Sequence, residues 1–431
     1  MSIKTLHLTN CFHSESGGIA TFYRELLKSA ERLERHIRLV VPSDRSHTEI
    51  HGRYGKIYYV PAAPSRLSPG YRLLMPSQYL LPRSPLRCIL AEEKPELVEC
   101  CDKYTLNYLA ALLRRGWLGL GTYRPAMVGL TCERMDENVA SYLSAGKRGK
   151  SWCRAYLKWL YFPMFDHHIA VSQHTAGELR EVSHGHDVRR GVWVRSMGAS
   201  CGLFRPERRS PEKGQWLRSL TAAPDTARLL LYAGRLVPEK NLQLLLETLA
   251  WLEQDAPGVF HLVVAGQGSQ RASLETQCNQ RLPGAAYFLG HIADRELLAD
   301  VYANCEAFLH PNPREPFGIA PLEAMASGLP LVAPSSGGIA TYANSQNAWL
   351  ANPDPESFAQ AVHAICGDAQ AASARCRAAR ATAERYDWDG IAEGFFELYD
   401  ELHALVQGGR AEPSIAPAFY STERTSPSCQ I

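Results

Sequence analysis

Between residues 228 and 333 the chain alternates mostly apolar runs of strand length with stretches whose apolar residues recur at helical spacing. Residues 228–233, 260–265, 286–289, 307–310 and 331–333 read as strands. Between them Leu242, Leu245, Leu246, Leu249 and Leu252 share one helical face, and Asp294 stands as N-cap before Leu297, Leu298, Val301 and Tyr302. A strand with no polar face has no side to give to water, so helices must cover both faces of its sheet. That requirement selects an α/β architecture with mainly parallel strands.

The first half repeats the pattern less cleanly. A strand at 3–8 leads through Gly17-Gly18 into a helix carrying Ile19, Phe22 and Leu26, and further strands are expected at 39–41, 56–60, 97–100, 126–130 and 168–171. Residues 61–90, rich in Pro, Arg and Tyr, give no clear element. With 431 residues the chain has room for two or three domains. A polar, proline-punctuated stretch at 198–226 marks the boundary, 356–405 reads as mostly helix, and 407–431 as a mobile tail.

Composition narrows the class. At 45% hydrophobic and 21% charged residues the chain matches folded soluble proteins rather than disordered or fibrous ones. No run approaches a bilayer span, and the opening Met1-Ser-Ile-Lys-Thr-Leu-His-Leu has no signal-peptide core. The twelve cysteines contain no C-x-x-C pair, which fits reduced thiols in the cytoplasm. Residues 1–200 hold 28 Lys+Arg and 18 Asp+Glu, leaving 46 − 28 = 18 and 44 − 18 = 26 for the rest, a balance of +10 against −8. The basic half suits either its acidic partner half or an anionic surface such as membrane headgroups. No nucleic-acid partner is expected.

In open parallel sheets ligands bind beyond the carboxyl ends of strands, so the loops there carry the candidate chemistry. In Glu315-Pro-Phe317-Gly318-Ile319-Ala-Pro321-Leu-Glu323 a glutamate precedes a glycine turn, Pro321 suits a first helical turn, and Gly328 suits the residue past the helix end. The loop would aim amides and a positive helix end at phosphate or sugar oxygens, with the carboxylates accepting from hydroxyls. A capped surface helix with a solvated glutamate pair is the alternative. In Gly234-Arg235-Leu-Val-Pro238-Glu-Lys240-Asn241 a cation stands just before a helix, opposing its dipole unless an anion is recruited. Arg235 and Lys240 together suit a diphosphate; a solvated basic loop is the alternative. Gly17-Gly18, Gly266-Gln-Gly268 and Gly337-Gly338 complete no dinucleotide or phosphate-loop fingerprint. Asp387-Trp-Asp389 has the form of a D-x-D metal motif but falls in a helical stretch away from the sheet, so no metal site and no cofactor are expected.

These motifs occur together in one order. A-G-R-L-x-x-x-K-N, V-A-G-x-G, F-L-G-H-I and Glu315-x-Phe-Gly-x-x-x-x-Glu323-Ala-Met-Ala-Ser-Gly-x-Pro, between Leu231 and Asp354, resemble the family 4 retaining glycosyltransferases of the GT-B fold. Gly17-Gly18 with its helix, and 194–206 ending Leu-Phe-Arg-Pro, are similar to the family's amino-terminal and linker segments; 50–125 and the tail show no likeness. The resemblance implies two facing Rossmann-like domains with the site in the cleft. It divides the chain into an acceptor-side domain 1–197, a linker 198–226, a donor domain 227–384, a helix 385–406 that returns to the first domain, and the tail 407–431.

It also implies roles. Arg235 and Lys240 would bind the donor diphosphate and Glu323 the ribose. Glu315 and the backbone of Phe317, Gly318 and Ile319 would contact the transferred sugar. Gly17 and Gly18 would let the first loop approach the ligands, and Gly290, His291 and Ile292 would border the base. Where members often carry a histidine, this sequence has Cys132, followed by Glu133, as the candidate contact to sugar or acceptor. The family's G-V-D and G-G-x-P-E read Gly198-Ala199-Ser200 and Gly337-Gly-Ile-Ala-Thr341 here.

The implied reaction moves a hexosyl group, mannose or glucose, from uridine or guanosine diphosphate to an acceptor hydroxyl, with retention and without metal. The basic and aromatic segment 147–162 suits peripheral contact with an anionic membrane at the inner face of the cell membrane, and hence a glycolipid or polyprenyl-linked acceptor. A core helix packing Trp159 and Leu160 inward is the competing reading. The other functions weighed are a catalytically silent sugar-nucleotide-binding protein and a nicotinamide-dependent oxidoreductase.

Overall fold

A computed structural model describes residues 2–13, 17–65, 71–143, 146–183 and 191–408. Two large sheets organise them. The first has eight strands in the order β10-β9-β8-β7-β1-β2-β4-β3. In chain order these are β1 (Thr5–Thr9), β2 (Ile37–Ser43), β3 (His47–His51), β4 (Gly55–Pro61), β7 (Leu97–Cys101), β8 (Ala126–Thr131), β9 (His167–Ala170) and β10 (Val192–Val194). A small antiparallel pair, β5 (Ala63–Pro64) and β6 (Arg72–Leu73), stands apart. The second sheet has six parallel strands in the order β13-β12-β11-β14-β15-β16. These are β11 (Arg228–Ala233), β12 (Phe260–Ala265), β13 (Ala286–Gly290), β14 (Ala307–Leu309), β15 (Leu331–Ala333) and β16 (Trp349–Leu350).

The central strands β1, β7, β8 and β12 are buried along their whole length; β8 is almost wholly apolar, whereas β1 alternates Thr5, His7 and Thr9 with Leu6 and Leu8 and buries its His7 between Glu99 and Thr5. The strands missed by pattern are the short β5, β6, β10 and β16 and the longer β3. The last of these is the antiparallel edge of the first sheet and largely exposed, so the polar His47-Thr-Glu-Ile-His51 carries no apolar signal. The segment 198–226 contains an eleven-residue helix, Pro211–Thr221, whose N-cap Ser210 accepts from the Lys213 amide at 3.2 Å. The tail residues 409–431 lie outside the described residues.

Strand order reverses once in each sheet, between β1 and β7 in the first and between β11 and β14 in the second. A crevice opens at such a reversal because the flanking connections leave to opposite faces. The two crevices face one another. Ser172 Oγ, just after β9, donates to the Pro316 carbonyl at 2.5 Å, and Arg235 Nη1 donates to Tyr71 OH at 3.2 Å.

The last helix, Trp388–Gly408, packs on the first helix, Gly18–Arg32, with the Phe395 and Phe22 rings 4.8 Å apart. Glu99 of β7 pins the junction. Its buried carboxylate accepts from Tyr399 OH at 2.5 Å and Tyr23 OH at 2.9 Å, and lies 2.9 Å from His7 Nδ1. A buried carboxylate is tolerated only with such partners, so this contact specifies where the helix docks. Asp387 Oδ2 accepts from the Cys201 amide at 3.0 Å and Oδ1 from the Asp389 amide at 3.0 Å. The D-x-D lookalike thus ties the end of the chain to the inter-sheet segment.

Candidate active site

The second crevice is built around two glutamates. The helix Ile319–Ala326 begins two residues before the expected 321, because Gly318 takes the N-cap at φ 91°, a left-handed conformation that favours glycine. That turn carries Glu315 back toward the loop after β11, where Lys240 ends a short 3₁₀ turn, Pro238–Lys240. Lys240 Nζ lies 2.9 and 2.8 Å from the two Glu315 oxygens, and Asn312 Nδ2 donates to Oε2 at 3.0 Å. His310 Nε2, just beyond β14, is 3.6 Å from the same oxygen. Burial disfavours the Glu315 carboxylate, but Lys240, His310 and Asn312 outweigh it and hold the group down at about 2. Burial in turn lowers His310 to about 4, leaving it neutral near pH 7. Lys240, oddly placed for a helix dipole, has a carboxylate partner that the sequence did not reveal.

Arg235 donates through Nη2 to Glu239 Oε1 at 3.0 Å as well as to Tyr71 across the cleft. Glu323 is buried and receives Arg295 Nη2 at 2.7 Å. Burial raises its carboxyl above the usual range, against the pull of Arg295. Both glutamates are buried, which overturns the reading of a solvated surface pair. Phe317 packs its ring into the core against Tyr342, at 5.3 Å between centroids. Gly18 approaches from the first crevice: a Cβ there would stand 3.0 Å from Ile319 Cδ1. Gly290 closes β13, His291 is exposed and Ile292 packs against the core. The Gly266-Gln-Gly268 turn has a packing origin, since a Cβ at Gly266 would fall 1.9 Å from the Gly234 carbonyl oxygen.

The first crevice is different. Gly17 precedes its first helix, where a Cβ would meet nothing within 4 Å, and Cys132 lies past β8 with its Sγ 3.8 Å from Cys101 Sγ. Glu133 gives its carbonyl to Lys103 Nζ at 2.7 Å and its Oε2 to Asn138 Nδ2 at 2.6 Å; burial raises its carboxyl. Lys103 pairs with Glu178 at 2.6 Å, both buried. Glu133 is therefore held in a local network, and Lys103, Glu178, Tyr71, His310, Asn312 and Arg295 are the cleft residues that sequence reading missed. None belongs to a motif; Lys103, His310 and Asn312 follow strand ends closely, whereas Glu178 lies within the helix Gln173–Ser183 and Arg295 opens the helix Arg295–Ala303.

In the segment 147–162 the helix Gly146–Tyr156 runs on through a wide turn, Leu157–Tyr161. Trp159 is 71% exposed and Leu160 43%, so the alternative that packs them into the core is overturned. Trp152 is also 60% exposed. Among the described residues no helix is long and apolar enough to cross a membrane, and no three His, Cys, Asp or Glu side chains gather as metal ligands.

Two parallel α/β sheets whose crevices face across a cleft define the GT-B glycosyltransferase fold. Sucrose-phosphate synthase from Thermosynechococcus elongatus superposes with a TM-score of 0.71 at 20% identity, over 93% of this chain and 99% of that one. HepE from Anabaena, solved with UDP and glucose, gives 0.66 at 18% identity over 92% and 99%. The model for "Glycosyl transferases group 1" matches residues 217–382, and that for "Glycosyltransferase Family 4" matches 16–190, including the stretch where sequence reading saw no likeness. The chain belongs to the group 1, family 4 glycosyltransferases. A relative named GDP-mannose-dependent alpha-(1-6)-phosphatidylinositol dimannoside mannosyltransferase, from Mycobacterium tuberculosis, is 28% identical over 90% of this chain and 94% of that protein. Family membership sets aside the nicotinamide-dependent alternative.

Proposed function

We propose that this glycosyltransferase moves a hexosyl group, mannose or glucose, from GDP or UDP to a hydroxyl of a lipid-linked acceptor, with retention of configuration and without metal. The Lys240–Glu315 ion pair, set at the N-terminus of the helix Ile319–Ala326, carries the reading. Glu315 engages two of the three ammonium donors, leaving one for a phosphate oxygen. Arg235 adds a second cation, and the Phe317, Gly318 and Ile319 amides with the helix end add a third source of positive potential. Glu315 contacts the transferred sugar as an acceptor, and Glu323 receives the ribose hydroxyls, with Gly290, His291 and Ile292 beside the base. The acceptor hydroxyl attacks the anomeric carbon on the face from which the diphosphate departs. A bond to the acceptor oxygen forms as the bond to the phosphate oxygen breaks, and the departing phosphate takes the acceptor's proton. Charge develops on phosphate, where two cations and a helix end are already in place, so a metal ion has no vacant role.

The M. tuberculosis relative's printed activity, on a phosphatidylinositol mannoside, supports mannose from GDP-mannose and a glycolipid acceptor as the first pair to test. The acceptor side is the domain 1–197, joined by 198–226 to a donor domain 227–384, with 385–406 returning. Exposed Trp152 and Trp159 among the cations of 147–162 support peripheral contact with an anionic membrane at the cytoplasmic face. The deciding experiment incubates the protein with GDP-mannose or UDP-glucose and a mannosylated phosphatidylinositol, with and without EDTA, and reads product anomery by NMR. An α-linked product formed equally in EDTA is expected; an inverted product, or activity abolished by EDTA, overturns the mechanism. Slow hydrolysis of the sugar nucleotide without acceptor is expected as well, and its absence together with absence of transfer would make the protein a silent binder.

A further inference from the structure

We infer that Arg295, outside every recognised motif, is the positioning residue that holds Glu323 as acceptor for the donor's ribose hydroxyls and so sets nucleotide affinity. The inference rests on the reading that Glu323 receives the ribose. Arg295 opens the helix Arg295–Ala303 after β13, with Asp294 as its N-cap, accepting from the Glu296 and Leu297 amides at 2.9 and 3.3 Å. That cap aims the Arg295 side chain back into the cleft. Its Nη2 reaches Glu323 Oε1 at 2.7 Å, and its guanidinium carbon stands 4.9 Å over the Phe204 ring from the inter-sheet segment. The carboxylate is 4% exposed and the guanidinium 38%, so the arginine is the rim of the site and the glutamate its floor.

The chemistry requires such a partner. Two vicinal ribose hydroxyls are two donors, and only an ionised carboxylate accepts both while spending no hydrogen of its own. Burial pushes the Glu323 carboxyl toward its protonated form, and the Arg295 cation is the largest influence opposing it. The other groups facing it do not replace that cation. Glu25, on the first helix across the cleft, is a like charge that raises the Glu323 carboxyl further. Arg24 beside it acts on Arg295 as a repelling cation. Tyr302, on the Arg295 helix, favours the Glu323 carboxylate through its hydroxyl, but it is a phenol kept neutral by burial and brings no charge. Removing the guanidinium leaves a buried carboxyl that keeps its proton to higher pH.

Calorimetric titration of UDP, GDP and their 2′,3′-dideoxy counterparts into wild type, Arg295→Met, Arg295→Lys and Glu323→Gln at pH 6 and 8 tests it. For whichever nucleotide binds more tightly, Arg295→Met should weaken binding on the order of tenfold to a hundredfold. Its dideoxy counterpart should change by less than about threefold, since it has no hydroxyls to lose. The Arg295→Met deficit should be larger at pH 6 than at pH 8, and Arg295→Lys should recover part of it. Equal losses for the ribo and dideoxy ligands, no loss, or a deficit independent of pH would overturn the role of Arg295. Glu323→Gln separates the two readings. If it discriminates ribo from dideoxy ligands while Arg295→Met does not, only Arg295 is misassigned; if neither discriminates, the ribose contact itself fails.

Discussion

The two crevices have the same architecture and different side chains at their mouths. The second is lined by two carboxyl–cation pairs, Lys240 with Glu315 and Arg295 with Glu323. The first presents thiols that burial keeps protonated: Cys11 and Cys101 are both raised above their usual value, Cys101 chiefly through its contact with Cys132. Lys103 and Glu178 below them are paired and sealed at 2% and 3% exposure. On the proposed reading one edge of the cleft receives the anion and the other a neutral hydroxyl. That division is what a transfer from a diphosphate to a hydroxyl requires, because only the departing side changes charge.

The sharpest way to break this comparison is to remove a cation from the charged edge. Arg235→Ala or Lys240→Ala should each lower turnover roughly 10² to 10³-fold, as loss of one preorganised donor does elsewhere; wild-type rates in both would refute the assignment. Stability follows the same pair. Glu315 falls from its ordinary value near 4.5 to about 2, so its contribution is complete above 4.5 and disappears as pH falls from there toward 2. Lys240→Met strands a buried carboxylate and should destabilise by about 3 kcal/mol at pH 7, with the gap to wild type narrowing below pH 5 in thermal melts. A gap that stays constant to pH 3 would detach Glu315 from Lys240.

Smaller effects probe the contact between the edges and then the neutral edge. Gly18→Val adds bulk against Ile319, where even a Cβ stands at 3.0 Å. It should raise KM about tenfold with an unchanged melting temperature, because a small misplacement across a cleft disturbs both ligands. Cys132→Ser should change turnover less than about threefold, since its thiol touches a second thiol and no charged group of the opposite edge; a loss near a hundredfold would make it a substrate contact. Trp159→Ala should leave turnover on a soluble acceptor unchanged and weaken sedimentation with anionic vesicles severalfold. Equal sedimentation would remove the membrane from the account.

Legibility in the sequence followed local signals. The second sheet could be read almost strand by strand, with β11, β12 and β15 at their expected bounds, because a buried parallel strand is apolar throughout. Asp294 was legible as an N-cap for a similar reason, a chemistry confined to three neighbouring residues. The edge strand β3 was not, since an exposed edge leaves no apolar period to detect. Glu315, Glu323, Arg235 and Lys240 stood out by their spacing from glycine turns, although nothing in that spacing said how they pair.

The order of strands and helices, the position of the glycine turns and the residue types beyond the strand ends are properties of neighbours along the chain, and the chain by itself determined them. Which charge meets which was decided only in three dimensions. Lys240 and Glu315 lie 75 positions apart, Arg295 and Glu323 28, and Tyr71 and Arg235 164. Coulomb and hydrogen-bond energies depend on a few ångströms of separation and on the water excluded between partners, and both quantities come into being when the sheets pack.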